Sequence, residues 1–135
     1  QGYTAHDRHG DIINGSMSGG GGGVTVKTAT VTPSSNATQI QFTGLTGQPK
    51  AFSVILATQF NAAATRYVCA VTFDGTNVNG TFSYQSNNKS WAIQYVSGAY
   101  FSYTYSNGTL TVKTQSATNG GYFRSGCAYQ LIYVY

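Results

Sequence analysis

At 135 residues the chain has the length of one domain, able to bury about two-thirds of its unfolded surface around a single core without disulfides or metals. Only 7% of the residues are charged against an ordinary ~25%, so Ser, Thr, Asn, Gln and Gly must supply the surface polarity. The net charge of +4 reflects scarce acid, Asp7, Asp11 and Asp74 with no Glu. Lys27, Lys50, Arg66, Lys89, Lys113 and Arg124 are scattered singly, which argues against a nucleic-acid partner. No apolar run approaches the ~18 residues of a membrane span.

Residues 1–23 (QGYTAHDRHGDIINGSMSGGGGG) differ from the rest. The run Gly19 to Gly23 cannot pack a core, so the segment is expected to be a linker, or a stem that orders against neighbouring subunits. His6, Asp7, His9 and Asp11 are metal-capable donors, but they lack a scaffold and a convincing third ligand, and no metal site is expected. The absence of an initiator Met and of a signal-peptide pattern at Gln1 suggests a processed or truncated product.

Residues 24–135 read as short strands separated by turns, the pattern of a sandwich or barrel. Residues 24–32 (VTVKTATVT) alternate and stop at Pro33. Residues 38–43 point Ile40 and Phe42 inward, and residues 44–49 turn the chain. Residues 51–58 (AFSVILAT) are apolar on both faces, which predicts a central strand. Residues 66–73 form another strand, ended by Asp74-Gly75, and strands follow over 77–84 and 91–96.

The clearest signal is AYFSYTYSNGTLTV, residues 99–112. Asn107-Gly108 is the pair that best accepts the two positive φ angles of a type I′ turn, so a β-hairpin is predicted. Phe101, Tyr103 and Tyr105 share one face, continued by Leu110 and Val112 on the return strand. The final segment, 122–135, ends in AYQLIYVY, a strand apolar on both faces that runs to the last residue. No segment carries a helical period; residues 61–64 would make one helical turn at most. The fold class expected is all-β: an antiparallel, jelly-roll-like β-sandwich of eight or nine strands with a Gly-rich N-terminal extension.

Chemistry-bearing residues are few. Asp74 is the one carboxylate of residues 24–135, which contain no His, G-x-S-x-G or P-loop, so neither an enzyme nor a cofactor is expected. Cys69 and Cys127 fall in predicted strands and are read as small buried hydrophobes, with a disulfide as the alternative. Aromatics are 14% of the chain. Tyr combines a flat apolar face for stacking on a sugar with a hydroxyl for hydrogen bonding. Phe52, Tyr67, Phe73, Phe101 and Tyr103 are assigned to the core, whereas Tyr84, Trp91, Tyr100, Tyr105 and Tyr122, near turns, are the candidate ligand-binding residues. Amide-rich turns at 85–89 and 118–121 would surround them.

Several segments together, VTVKTATVT, QIQFTGLTGQPKAFSVIL, RYVCAVTFDGT, TYSNGTLTV and GYFRSGCAYQLIYVY, resemble C-terminal domains of tail and fibre proteins from tailed bacteriophages and prophages of Gram-positive bacteria. The resemblance covers about residues 20–135 and implies a virion structural protein with a terminal receptor-binding domain. It further implies a homo-oligomer, a trimer, accompanied by other virion proteins and facing a host cell-surface glycan. It transfers no catalytic residue. A secreted carbohydrate-binding module, or a head-decoration protein without ligand, are the alternative readings.

Overall fold

In a computed structural model the described residues are 5–6, 12–13, 23–58, 67–86, 90–96, 100–115 and 121–135; for 5–6, 12–13, 83–86 and 90–96 the description is of strand backbone. Two short strands, β1 (Ala5–His6) and β2 (Ile12–Ile13), pair antiparallel near the N-terminus. Beyond them, β3 (Val26–Val31), β4 (Gln39–Phe42), β5 (Ala51–Leu56), β6 (Tyr67–Phe73) and β7 (Val78–Ser86) follow in order. Then come β8 (Ser90–Val96), β9 (Phe101–Ser106), β10 (Thr109–Thr114) and β11 (Tyr129–Val134).

β3 to β11 form an antiparallel sandwich. A large sheet has the order β3-β11-β5-β6-β7-β8, and a small one the order β4-β10-β9. The first two strands of the domain pair with the last two, β3 with β11 and β4 with β10, which is the wrap of a jelly roll. Between them β5, β6, β7 and β8 run as a meander. The doubly apolar β5 lies between β11 and β6, so both its backbone edges are paired, as a central strand requires.

Alternation places the core. Phe52, Val54, Val71 and Phe82 of the large sheet and Ile40, Phe42, Leu110 and Val112 of the small sheet meet between the layers. Leu131, from β11, is fully buried there with Tyr129. The hairpin forms in the predicted register, with Thr109 opposite Ser106 and Leu110 opposite Tyr105. Asn107 and Gly108 have φ of 48° and 72°, the left-handed pair of a type I′ turn. The Leu45 N–H donates to the Gly108 carbonyl at 2.8 Å, tying the turn to the β4–β5 loop.

Gly80 faces inward opposite Val71, and Phe101 lies over it: a Cβ there would strike the Phe101 ring and approach the Ala70 carbonyl to 2.6 Å. The missing side chain lets β9 pack down on β7, where Phe101 stacks on Phe82 at 5.0 Å.

The final strand expected from AYQLIYVY forms as β11, and the residues ahead of it, from 122, follow a different course. Phe123 instead bridges Ala37, and the chain turns through Gly126, whose φ is 71°. That turn carries Cys127, so Cys127 is buried in a loop and not in a strand. Cys69 sits at a β-bulge between Val68 and Ala70, which interrupts the alternation assumed for 66–73 and leaves it half-buried. No disulfide joins them, and the Cys69 thiol lies 4.0 Å from the Tyr67 carbonyl.

Tyr129 is the buried polar anchor. Its hydroxyl accepts from the Arg124 N–H at 2.8 Å and donates to the Val68 carbonyl at 3.1 Å. Burial raises its pKa far above the usual phenol value, so it stays protonated and keeps that donor. Its ring meets Phe123 edge-on at 5.2 Å.

Candidate functional site

The hairpin between β6 and β7 is built on Asp74 and Gly75. Gly75 takes φ 99°, and one Asp74 carboxylate oxygen accepts from the backbone N–H groups of Thr76 at 2.8 Å and Asn77 at 2.7 Å. These bonds, Asn77 foremost, favour the carboxylate and lower the Asp74 pKa below its ordinary 3.8. Asp74 is thereby an ionised turn clasp.

Beside this turn the sandwich is open. Phe73, at the end of β6, and Tyr103, on the edge strand β9, are half-buried, and with buried Phe52 they form an aromatic triad. Tyr103 lies 4.6 Å from Phe73 and 5.2 Å edge-on from Phe52, and Phe52 lies 5.6 Å from Phe73. The triad sits between two hollows that share Tyr103. One, of about 530 Å³, is lined by Gln48, Pro49, Lys50, Phe73, Gly75 and Tyr103. The other, of about 410 Å³, lies between the strands at the sandwich rim and takes in Asn77, Asn79, Ser102 and Tyr103. An aromatic surface flanked by amides, a hydroxyl and one ammonium suits a neutral polyhydroxylated ligand: the ring covers the apolar C–H face and the side chains serve the hydroxyls.

The sequence assigned Phe73 and Tyr103 to the core; both are half-buried and pack against it, and they also line the hollows at the sandwich rim. The inward face of each strand was legible, but a three-stranded layer cannot cover a six-stranded one, and the inward residues at the margin stay partly open. Of the five candidates chosen from sequence, Tyr100, Tyr105 and Tyr122 are all half-buried. Tyr100 and Tyr105 pack against the core. The side chains of Tyr84 and Trp91, and the turn residues 87–89 and 116–120, lie outside the described residues. So do the side chains of the His6 to Asp11 donors; among the described residues no group of three His, Cys, Asp or Glu is placed to hold a metal. No helix among the described residues is long and apolar enough to cross a membrane.

Compared with protein-family models, curated proteins and solved structures, the chain matches none significantly.

Proposed function

We propose that this chain is the host-facing terminal domain of a phage tail or fibre protein, a virion component that attaches the particle to a surface glycan through the hollows meeting at Tyr103. The observation that carries the binding reading is the pairing of a half-buried Tyr103–Phe73 surface with Gln48, Lys50, Asn77 and Asn79. The phage assignment is supported by the segments quoted above. The domain is a binder and not an enzyme in this reading: Asp74, the one carboxylate of the body, is committed to its own turn. It works without a cofactor, as a homotrimer beside other virion proteins. The same hollows would serve a secreted carbohydrate-binding module, and antibody labelling of source particles in negative stain separates the two.

Pull-down on isolated Gram-positive cell envelopes tests the binding site. Tyr103→Leu retains apolar bulk under Phe52 and Phe73 but removes the flat ring, and should weaken binding about tenfold, the equivalent of ~1.4 kcal/mol. Trp91→Ala and Tyr122→Ala probe the surface expected from sequence. Undiminished binding by folded Tyr103→Leu would move the site to that second surface, and absence of binding by the wild-type chain would end the receptor reading.

A further inference from the structure

The strand that carries Tyr103 also has a free edge. β9 ends the small sheet, so among the described strands only β10 pairs with it. Which main-chain groups that edge presents follows from the ladder with β10. The Gln115 N–H donates to the Tyr100 carbonyl at 2.9 Å, which makes Tyr100 and Gln115 a hydrogen-bonded pair. Antiparallel pairs alternate between bonded and non-bonded, so Ser102, Thr104 and Ser106 bond to Lys113, Thr111 and Thr109. Phe101, Tyr103 and Tyr105 then turn their N–H and C=O groups away from β10, to the free edge. The Thr114 N–H, opposite Phe101, accordingly points the other way and donates to the Thr38 carbonyl at 2.8 Å. The hollow of about 410 Å³ is lined by Phe101, Ser102 and Tyr103 together with the start of β7, and by nothing from β10, so it lies on the free side of β9. The hollow of about 530 Å³ shares Tyr103 with it and takes its other walls from different residues.

We infer that the two hollows are adjoining subsites for one glycan chain, recognised through at least two linked sugar units that straddle Tyr103 and not through a single terminal sugar. This rests on the glycan part of the proposed function and specifies its ligand. Each hollow by itself falls within the roughly 300–1,000 Å³ of a small-ligand site, and the two meet at one side chain, so filling both takes neighbouring units of a chain. Each also has its own polar partners. Gln48 and Lys50 serve one, and Thr76, Asn77 and the free-edge main chain of Phe101 and Tyr103 serve the other. A sugar hydroxyl both donates and accepts, which matches an N–H and a C=O presented side by side. Neither hollow encloses its occupant, since Gln48, Lys50, Thr76 and Asn77 are all exposed. A single sugar in an open site binds weakly, whereas linking two units makes the second contact intramolecular and raises the affinity without a new surface. A stacking ring between two amide-bearing hollows favours sugars over an added peptide strand, the other ligand that a free edge accepts.

Competition in the envelope pull-down, with the full chain, tests the inference. Polysaccharide released from the envelopes by mild acid is separated into its monosaccharides and into fragments of increasing length, and each fraction is used to displace the bound chain. Short fragments should displace it at concentrations at least about tenfold below those the monosaccharides require, with little further gain once both hollows are filled. Gln48→Ala in the larger hollow and Asn77→Ala in the smaller should each remove most of that advantage of length, with thermal melts showing the fold retained. Thr76→Ala replaces Asn77→Ala if the turn fails to form. Monosaccharides that displace the chain as well as the fragments do would overturn the two-subsite inference and leave the receptor reading standing. An advantage of length untouched by both variants places the chain elsewhere on the domain and also overturns it. Binding that is lost when the envelopes are treated with protease, and kept when their polysaccharide is stripped, assigns the β9 edge to a peptide strand and overturns the inference together with the glycan reading. No binding of the wild-type chain to untreated envelopes ends both.

Discussion

The two outer faces of the sandwich are built on the same alternation and carry different chemistry. On the small sheet the outward positions are Gln39 and Gln41 of β4, Thr109, Thr111 and Lys113 of β10, and Ser102, Thr104 and Ser106 of β9. They are linked across strands, as where the Gln41 amide donates to the Thr111 hydroxyl at 3.3 Å. On the large sheet half of the corresponding positions are Val, Ile or Ala. Both inner faces are mainly apolar, with Thr114 a buried polar exception on the small sheet, so burial in the core does not distinguish the sheets. The small sheet's exterior is suited to water, whereas the large sheet's exterior resembles an inner face diluted with hydroxyls, and a surface of that kind is normally covered.

Four experiments would break or sharpen this contrast. The largest effect belongs to what the two sheets share. Leu131→Ala opens a cavity beneath the large sheet at a fully buried position, and chemical denaturation should show a loss of about 2–5 kcal/mol. A loss below ~1 kcal/mol would mean that the layers do not close on a common core.

Next is the turn that sets the small sheet's register. Gly108→Val forces a β-branched residue to φ 72° and brings a Cβ to 3.1 Å from the Leu45 carbonyl. About 1–3 kcal/mol should be lost, read as a lower thermal midpoint. An unchanged midpoint would show that β9 and β10 find their register without the type I′ turn.

Smaller effects on folding are expected where the exteriors differ. Ile132→Lys and Thr104→Lys, each on exposed surface, should change the stability of the dissociated chain by no more than about 0.5 kcal/mol. Equal solubility and equal mass for the two variants would erase the distinction drawn between the faces.

The smallest effect is at Asp74, fully exposed in its turn. Its folded pKa is depressed, so its contribution to stability is present above the ordinary 3.8 and fades as pH falls through the lower folded value. Thermal melts from pH 5 to about pH 2 should show that decline for the wild type and a shallower one for Asp74→Asn. Identical slopes would mean that the two backbone bonds to Asp74 do not hold in solution.

The sequence by itself determined the local and repeating features. Alternation placed Ile40, Phe42, Phe101, Leu110 and Val112 inward, the doubly apolar run made β5 central, and Asn107-Gly108 specified the hairpin and its register. Each depends on neighbours in the chain, or on a period of two that a strand imposes wherever it lies. Tertiary structure decided what depends on how layers of unequal width overlap. Only that overlap leaves Phe73 and Tyr103, which pack against the core as Tyr100 and Tyr105 do, open to the hollows at the rim. A bulge at Cys69 and a left-handed Gly126 likewise moved both cysteines off the expected pattern, because one irregular residue resets the face of its strand. The large sheet's exterior became one continuous surface only when β11 slotted between β3 and β5, bringing Ile132 beside Ser53 and Thr28 from opposite ends of the domain. Pairing between strands so distant in sequence is chosen by the global burial of apolar surface, which no local pattern encodes.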